Sequence, residues 1–277
     1  MGTRLDLVVA DLEQEPCDDL VRDVKAELDR IEGMLSIHRP DSIISLINST
    51  AHAGIIELDS EFQNIFSEIL DLHQETGGYF DITMKPVSDL YRDHEGQLLP
   101  PAQMIREMAG MDKLELDPGG IRFSRKGVKV DLGGYGKGYA VKRILPILES
   151  YHVGNALVSF GESLVYGWGA HPLGETWRIS VPAEGGMDPV VFDLKDETLS
   201  TSGNSLNNKK KFGNSGHIVN PVTLRMASKR GLVCVKSGDP VRAEVFSTAL
   251  FSAGPGQSEE LLREFPDLEI RWIVPEE

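Results

Sequence analysis

The sequence is poor in positive charge. Its 28 lysines and arginines stand against 43 aspartates and glutamates, a formal net charge of −15. A nucleic-acid backbone needs a basic face, so nucleic acid is excluded as the main partner. A small phosphate ligand is not excluded, because local glycines, lysines and a metal can hold one. Cysteine is nearly absent: Cys17 and Cys234 are far apart, fit no zinc spacing, and read as two free, buried thiols. No apolar run approaches the roughly 18–20 residues of a membrane helix, so no membrane span is expected. The opening MGTRLDLVVADLEQEP lacks a basic stretch followed by an apolar core. Asp6 stands where a myristoylation signal needs a hydroxyl. On that ground the chain as it stands is expected in the cytoplasm, or in the periplasm if an upstream export signal has been removed.

What is present is an ordinary globular mixture, 40% apolar and 26% charged over 277 residues. That is enough for one large domain or two small ones. Residues 4–10 alternate like a strand. Leu20, Val24, Leu28, Ile31 and Leu35 recur at helical spacing over 16–35. RPDSIISLIN has a Pro-Asp-Ser helix start, and a second amphipathic helix covers 59–76, capped by Asp59 or Ser60 and closed by Gly77-Gly78. The stretch 91–120 reads as loop with a short helix near 101–109. GGIRFSRKGVKVDLG reads as a two-stranded hairpin, followed by a helix over about 137–151. Strands are expected in NALVSFGESLVYGWG, TWRISVPA, VVFDLKDETLSTSG and SKRGLVCVKSG, the third running into a loop at 199–205. PVRAEVFSTALFSAG reads as a helix, and SEELLREFPDLEIRWIV as a last helix and strand. Strands follow one another without regular βαβ alternation, so the fold class is α+β with mainly antiparallel sheet.

Four stretches carry possible chemistry. In DLGGYGKGYA, Gly133, Gly134, Gly136 and Gly138 admit a close backbone approach, the following helix N-terminus suits an anion, and Lys137 adds a charge. It is neither a P-loop nor a dinucleotide fingerprint, and a plain glycine-rich turn is an equal alternative. Ser200, Thr201 and Ser202 offer hydroxyls to phosphate or ribose, or form a simple polar turn. His217 in SGHIVNP is a general-base candidate near a phosphate site, although a lone histidine is more often structural. Glu244 and Thr248 stand four apart on one helical face, opposite Val245, Phe246, Ala249 and Leu250. A carboxylate and a hydroxyl so placed suit a hard cation such as Mg²⁺; a solvated acid and a self-bonded threonine are the plainer alternative.

Taken in order, these stretches resemble the ApbE family of FAD:protein FMN transferases. MGTRLDLVV resembles that family's opening M-G-T strand. IHRPDSIISLIN resembles R-P-x-S-x-[IL]-x-x-[IL]-N, and GYFDITMKPVSDLY resembles G-x-F-D-x-T-x-x-P-[LV]-x-x-L-W. VDLGGYGKGYAVKRI resembles D-L-G-[GA]-I-A-K-G-Y-A-V-D, and ALVSFGES resembles A-L-[IV]-N-x-G-G-D. LSTSGNS and GHIVNPVT resemble [AT]-T-S-G-D-Y and H-I-[ILV]-D-P-x-T-G. AEVFSTALFSAG resembles A-D-[AG]-[LW]-[SA]-T-A-L-F-x-x-G. The resemblance spans nearly the whole chain.

It implies a T-fold-like α+β architecture with a flavin cleft, a single domain over 1–277 made of two closely packed subdomains. It implies FAD as substrate, Mg²⁺ on the diphosphate, and transfer of FMN to a Thr or Ser of an acceptor flavoprotein with release of AMP. The acceptor site would be of the Asp-Gly-x-Ser/Thr-Gly-Ala-Thr type. Carried over by position, the metal falls to the Gly136 carbonyl, Glu244 and Thr248. His217 falls on the catalytic histidine, and Met1, Tyr79, Phe80, Asp81, Asp131, Gly134, Lys137, Ser202 and Gly203 on the flavin site with it. The chain departs from the pattern at several positions. Glu244 replaces an Asp, Asn204 and Asn220 replace acids, Gly161-Glu162-Ser163 replaces G-G-D, and Leu224 replaces a glycine. Those losses keep two alternatives open: an FAD pyrophosphatase that yields FMN and AMP, or a non-catalytic FAD-binding assembly factor.

Overall fold

Alternating apolar residues build the central sheet of the computed structural model, which describes residues 3–93, 100–161, 163–183, 188–204, 218–227, 231–257 and 265–274. The first half of the chain holds β1 (Leu5–Val9), α1 (Gln14–Leu35), α2 (Ile43–Thr50), α3 (Ser60–Glu75), α4 (Lys85–Asp93), α5 (Ala102–Met108), β2 (Leu114–Asp117) and β3 (Gly120–Phe123). There follow α6 (Gly136–Ser150), β4 (Ala156–Phe160), β5 (Leu164–Trp168), β6 (Trp177–Val181), β7 (Val190–Leu194) and β8 (Glu197–Asn204). Then come β9 (Val219–Asn220), β10 (Arg225–Met226), β11 (Gly231–Ser237), α7 (Pro240–Ala253) and β12 (Glu269–Ile273).

Six strands pair in the order β1-β4-β5-β8-β11-β12, every pair antiparallel. The period of two gives the sheet two distinct faces. Ala156, Val158 and Phe160 of β4 and Val233 and Val235 of β11 join the main core with α1, α3, α6 and α7. Leu199 of β8 and Cys234 of β11 face the other way, onto Trp177, Phe192 and Leu194 of the β6–β7 hairpin. Each large apolar side chain buried there stabilises by about 1.5–3 kcal/mol. Burial also pushes the Cys234 thiol up to about 12, which leaves it inert at neutral pH. A third, smaller cluster of Val87, Ile105, Ala109, Val219 and Leu224 ties α4 and α5 to the β9–β10 pair.

Several expectations need correction. The hairpin expected over 119–133 is instead β2–β3, joined at Asp117–Gly120, and 128–132 is not a strand. Its backbone groups find other partners: Asn48 exchanges two hydrogen bonds with Val130 at 2.7 and 2.9 Å, and the Asp131 N–H donates to the Ile82 carbonyl at 2.8 Å. Residues 199–204 are not a loop but the greater part of β8: all six pair with β11, and Leu199 and Ser200 pair with β5 as well. The chain has a helix, α4, where 91–93 reads as loop. Helix α7 has no solvated face; nearly all of it is buried, Glu244 included. Cys17 is half-buried rather than buried. The expected helix over 258–264 lies outside the described residues. Among the described residues no helix is long and apolar enough to cross a membrane.

Candidate functional site

A cleft of about 450 Å³ opens where β4 turns into β5, walled by the segments 79–85, 131–137, 200–203 and 218–221 and by α7. The first wall follows α3. Gly77 and Gly78 take φ of 58° and 80°, a left-handed turn that a Cβ disfavours. The turn delivers Tyr79 and Phe80 to the cleft. The Ser252 hydroxyl donates to the Tyr79 carbonyl at 3.2 Å, and His73 Nδ1 lies 2.6 Å from the Phe80 carbonyl. Asp81 accepts from the Thr83 N–H at 2.7 Å and from the Thr83 hydroxyl, which itself accepts from the Gly110 N–H at 2.6 Å.

The second wall is the glycine-rich turn, and its four glycines do different work. Gly133 and Gly134 line the cleft. A Cβ on Gly134 would stand 3.4 Å from both the Phe80 ring and Thr248 Oγ1. Gly136 opens α6 and is buried outside the lining. Gly138 serves packing: a Cβ there would run into the Pro240 carbonyl where α6 meets α7. Asp131 accepts from the Gly133 N–H at 2.9 Å. Burial raises the pKa of Asp81 and of Asp131; for Asp131 the Gly133 N–H and then the nearby Lys85 charge oppose the rise.

Helix α7 is fixed at its start by Asp239, whose carboxylate accepts from the N–H groups of Val241 at 2.8 Å and Arg242 at 3.1 Å. One turn on, Glu244 is 2% exposed. Its Oε1 pairs with the Lys137 ammonium, and its Oε2 accepts from the Gly138 N–H at 2.7 Å. So the N-terminus of α6, which the sequence suggests as a phosphate cradle, already holds a carboxylate of this chain. Lys137 Nζ has a second acceptor, the Gly133 carbonyl, at 3.3 Å. Thr248 donates to the Glu244 carbonyl at 3.1 Å. The Ser247 hydroxyl donates to the same carbonyl at 2.9 Å and lies 2.9 Å from both Ser200 Oγ and Ser202 Oγ. A buried serine of α7 thereby pins Ser200 and Ser202, two of the hydroxyl residues of β8 that border the cleft.

Tyr79, Phe80, Asp81, Asp131, Gly134, Lys137, Ser202, Gly203, Glu244 and Thr248 all line this one cleft, although they come from four distant stretches of sequence. Gly136 is adjacent but not in the lining. Met1 and His217 lie outside the described residues, as does Glu162. Asn204 and Asn220, which stand at acid positions of the family pattern, turn to the backbone. Asn204 donates to the Ala227 carbonyl at 2.7 Å. Asn220 donates to the Ser252 carbonyl at 2.8 Å and accepts from the N–H groups of Val222 and Thr223. An amide can do both at once, whereas a carboxylate cannot donate. Sequence reasoning misses Lys85, Ser88 and Thr3, which also line the cleft, and marks Ser163 there only as a departure from the family pattern. Lys85 pairs with Asp89 one helical turn on, a signal visible only once α4 is recognised.

The profile of the ApbE family matches residues 1–272. An FAD:protein FMN transferase of Klebsiella pneumoniae (strain 342) is 27% identical over 292 aligned positions, covering 100% of this chain and 83% of that protein. One of Chlamydia muridarum (strain MoPn / Nigg) is 29% identical over 212 positions, covering 73% and 64%. The crystal structure of the flavinyl transferase ApbE of Pseudomonas stutzeri, in its apo form, superposes with a TM-score of 0.83 at 21% identity, over 99% of this chain and 92% of that one. With a match running almost from end to end and the same antiparallel α+β fold, the chain belongs to the ApbE family.

Proposed function

We propose that this chain is an FAD:protein FMN transferase that moves FMN from FAD to a Ser or Thr hydroxyl of an acceptor flavoprotein and releases AMP. The observation that carries the reading is the convergence, on one cleft, of Tyr79 and Phe80, the Gly133–Gly134 turn, the Ser202 hydroxyl and the Lys137–Glu244–Thr248 group. Aromatic side chains suit the faces of a flavin ring. A lysine, backbone groups and serine hydroxyls suit a diphosphate. Family membership and the names of the relatives support the same activity.

The donors suit a divalent cation in kind: a buried carboxylate, a hydroxyl and a backbone carbonyl are hard oxygen ligands. Glu244, Thr248 and the carbonyl of Gly136 would hold Mg²⁺, which supplies charge neutralisation at the diphosphate when bound. Among the described residues no cluster of three or more acids, histidines or cysteines is placed to bind a metal, so the substrate's own phosphate oxygens would complete the shell.

In the reaction the acceptor oxygen attacks the phosphorus on the FMN side. The bond from that phosphorus to the bridging oxygen breaks, and AMP leaves with that oxygen. The acceptor's proton passes to a base, the role we assign to His217. The described residues act mainly by position and charge, as phosphoryl transfer requires. Lys137 and the hydroxyls pinned by Ser247 hold the phosphates, while Tyr79 and Phe80 hold the ring. Incubation with FAD, Mg²⁺ and an acceptor bearing an Asp-Gly-x-Ser/Thr-Gly-Ala-Thr site tests the reading by mass spectrometry of the acceptor. Covalent FMN on the Ser or Thr supports it, and an unmodified acceptor beside active control enzyme overturns it.

A further inference from the structure

We infer that Lys137 is the resident counter-ion of Glu244 and competes with the divalent cation for it. Metal binding then requires the ammonium to swing off the carboxylate and into the cleft, where it meets the anionic substrate. This rests on the proposed metal role of Glu244 and goes beyond it. The carboxylate is 2% exposed, so it needs a compensating charge at all times. In the present structure that charge is the Lys137 ammonium on Oε1, with the Gly138 N–H on Oε2. Both oxygens are therefore engaged, and a cation approaching Oε1 meets the like charge of the ammonium and competes with it for the carboxylate. The Gly138 N–H belongs to the first turn of α6, whose backbone is locked against Pro240 of α7. Lys137 sits on a flexible four-carbon stem, is 20% exposed and borders the cleft. Of the two partners, only the lysine can move.

The exchange couples two ligands. A phosphate that draws Lys137 away frees Glu244 for the metal, and a metal on Glu244 frees Lys137 for the phosphate. By linkage each raises the affinity of the other. The same exchange explains how a glutamate is accommodated here: its longer arm reaches across to α6 and finds a partner there when no metal is bound.

Titration with Mn²⁺ alone, followed by electron paramagnetic resonance and without nucleotide, tests the competition in the wild type, Lys137→Met, Lys137→Arg and Glu244→Gln. Removing the competing charge is expected to tighten Mn²⁺ binding about tenfold or more in Lys137→Met, with Lys137→Arg close to wild type. Mn²⁺ should also raise the melting temperature of Lys137→Met more than that of the wild type, a readout that holds even if the variant is less stable. If Glu244→Gln abolishes Mn²⁺ binding but Lys137→Met binds no more tightly than wild type, the competition is wrong and the metal site stands. If Mn²⁺ binding is indifferent to Glu244→Gln, the metal site itself is wrong, and the competition falls with it.

Discussion

Asp131 is the residue at which pH enters most directly. Burial raises its pKa above the ordinary value of 3.8, so the folded state holds this proton more tightly than the unfolded chain. Stability from this group falls as pH rises from about 3.8 through the folded pKa, and stays lower above it. Asp131→Asn keeps an acceptor for the Gly133 N–H and removes the charge. It is expected to be more stable than wild type in urea at neutral pH, with the difference vanishing below the ordinary carboxylate range. A variant less stable than wild type at neutral pH would contradict this. Ser247 gives a second residue-scale expectation. Ser247→Ala takes one partner from each of Ser200 and Ser202, and urea unfolding should show a loss of about 1–3 kcal/mol. FAD affinity should weaken with it, because Ser202 then loses its fixed orientation at the cleft.

Among the elements, α6 and α7 decide whether the site exists at all. They touch at Gly138, and this contact puts Glu244 within reach of Lys137. Gly138→Ala forces the Pro240 carbonyl aside and should destabilise by about 1–3 kcal/mol. Gly133→Ala, whose Cβ would meet only the Asp131 carboxylate at 3.2 Å, should cost less in the same melt. The comparison separates a packing glycine from a cleft glycine within one motif. The elements also show what the sequence can reveal and why it stops. Helices α1, α3 and α6 are legible because their apolar residues recur at helical spacing, and α3 also carries a recognisable cap in Asp59. Strand β8 is not. Ser200, Thr201 and Ser202 have the composition of a turn, and only pairing with β11, joined at Ser200 by β5, makes them a strand. Helix α7 shows the converse: its spacing suggests a polar face, yet burial on all sides turns Glu244 and Ser247 into interior partners. Leu224 holds a left-handed φ of 57° at a position where the family pattern has glycine, and it is kept there by packing on Val87 and Val219.

For the whole molecule, residues as far apart in sequence as Thr3 and Thr248 share one cleft only because the sheet and its helices fold as they do. The ordered motifs make the cleft's membership legible, since ten of the residues carried over by resemblance line it. What the sequence does not disclose is the state of those residues: that Glu244 is paired with Lys137, or that Asn204 and Asn220 anchor backbone rather than face the cleft. A ligand that binds only the folded state must stabilise it by mass action. FAD at about a hundredfold excess over its dissociation constant should therefore raise the melting temperature by about 5–10 °C. No shift under those conditions would speak against a flavin cleft.

The most direct test of the central claim follows AMP and covalent flavin together in one reaction of the purified protein with FAD, Mg²⁺ and an acceptor flavoprotein. Transfer predicts AMP and acceptor-bound FMN in equal amounts, with both lost in Glu244→Ala and with little AMP formed when the acceptor's Ser or Thr is replaced. AMP released at the same rate without acceptor, or FAD recovered intact from a stable complex, would contradict the account.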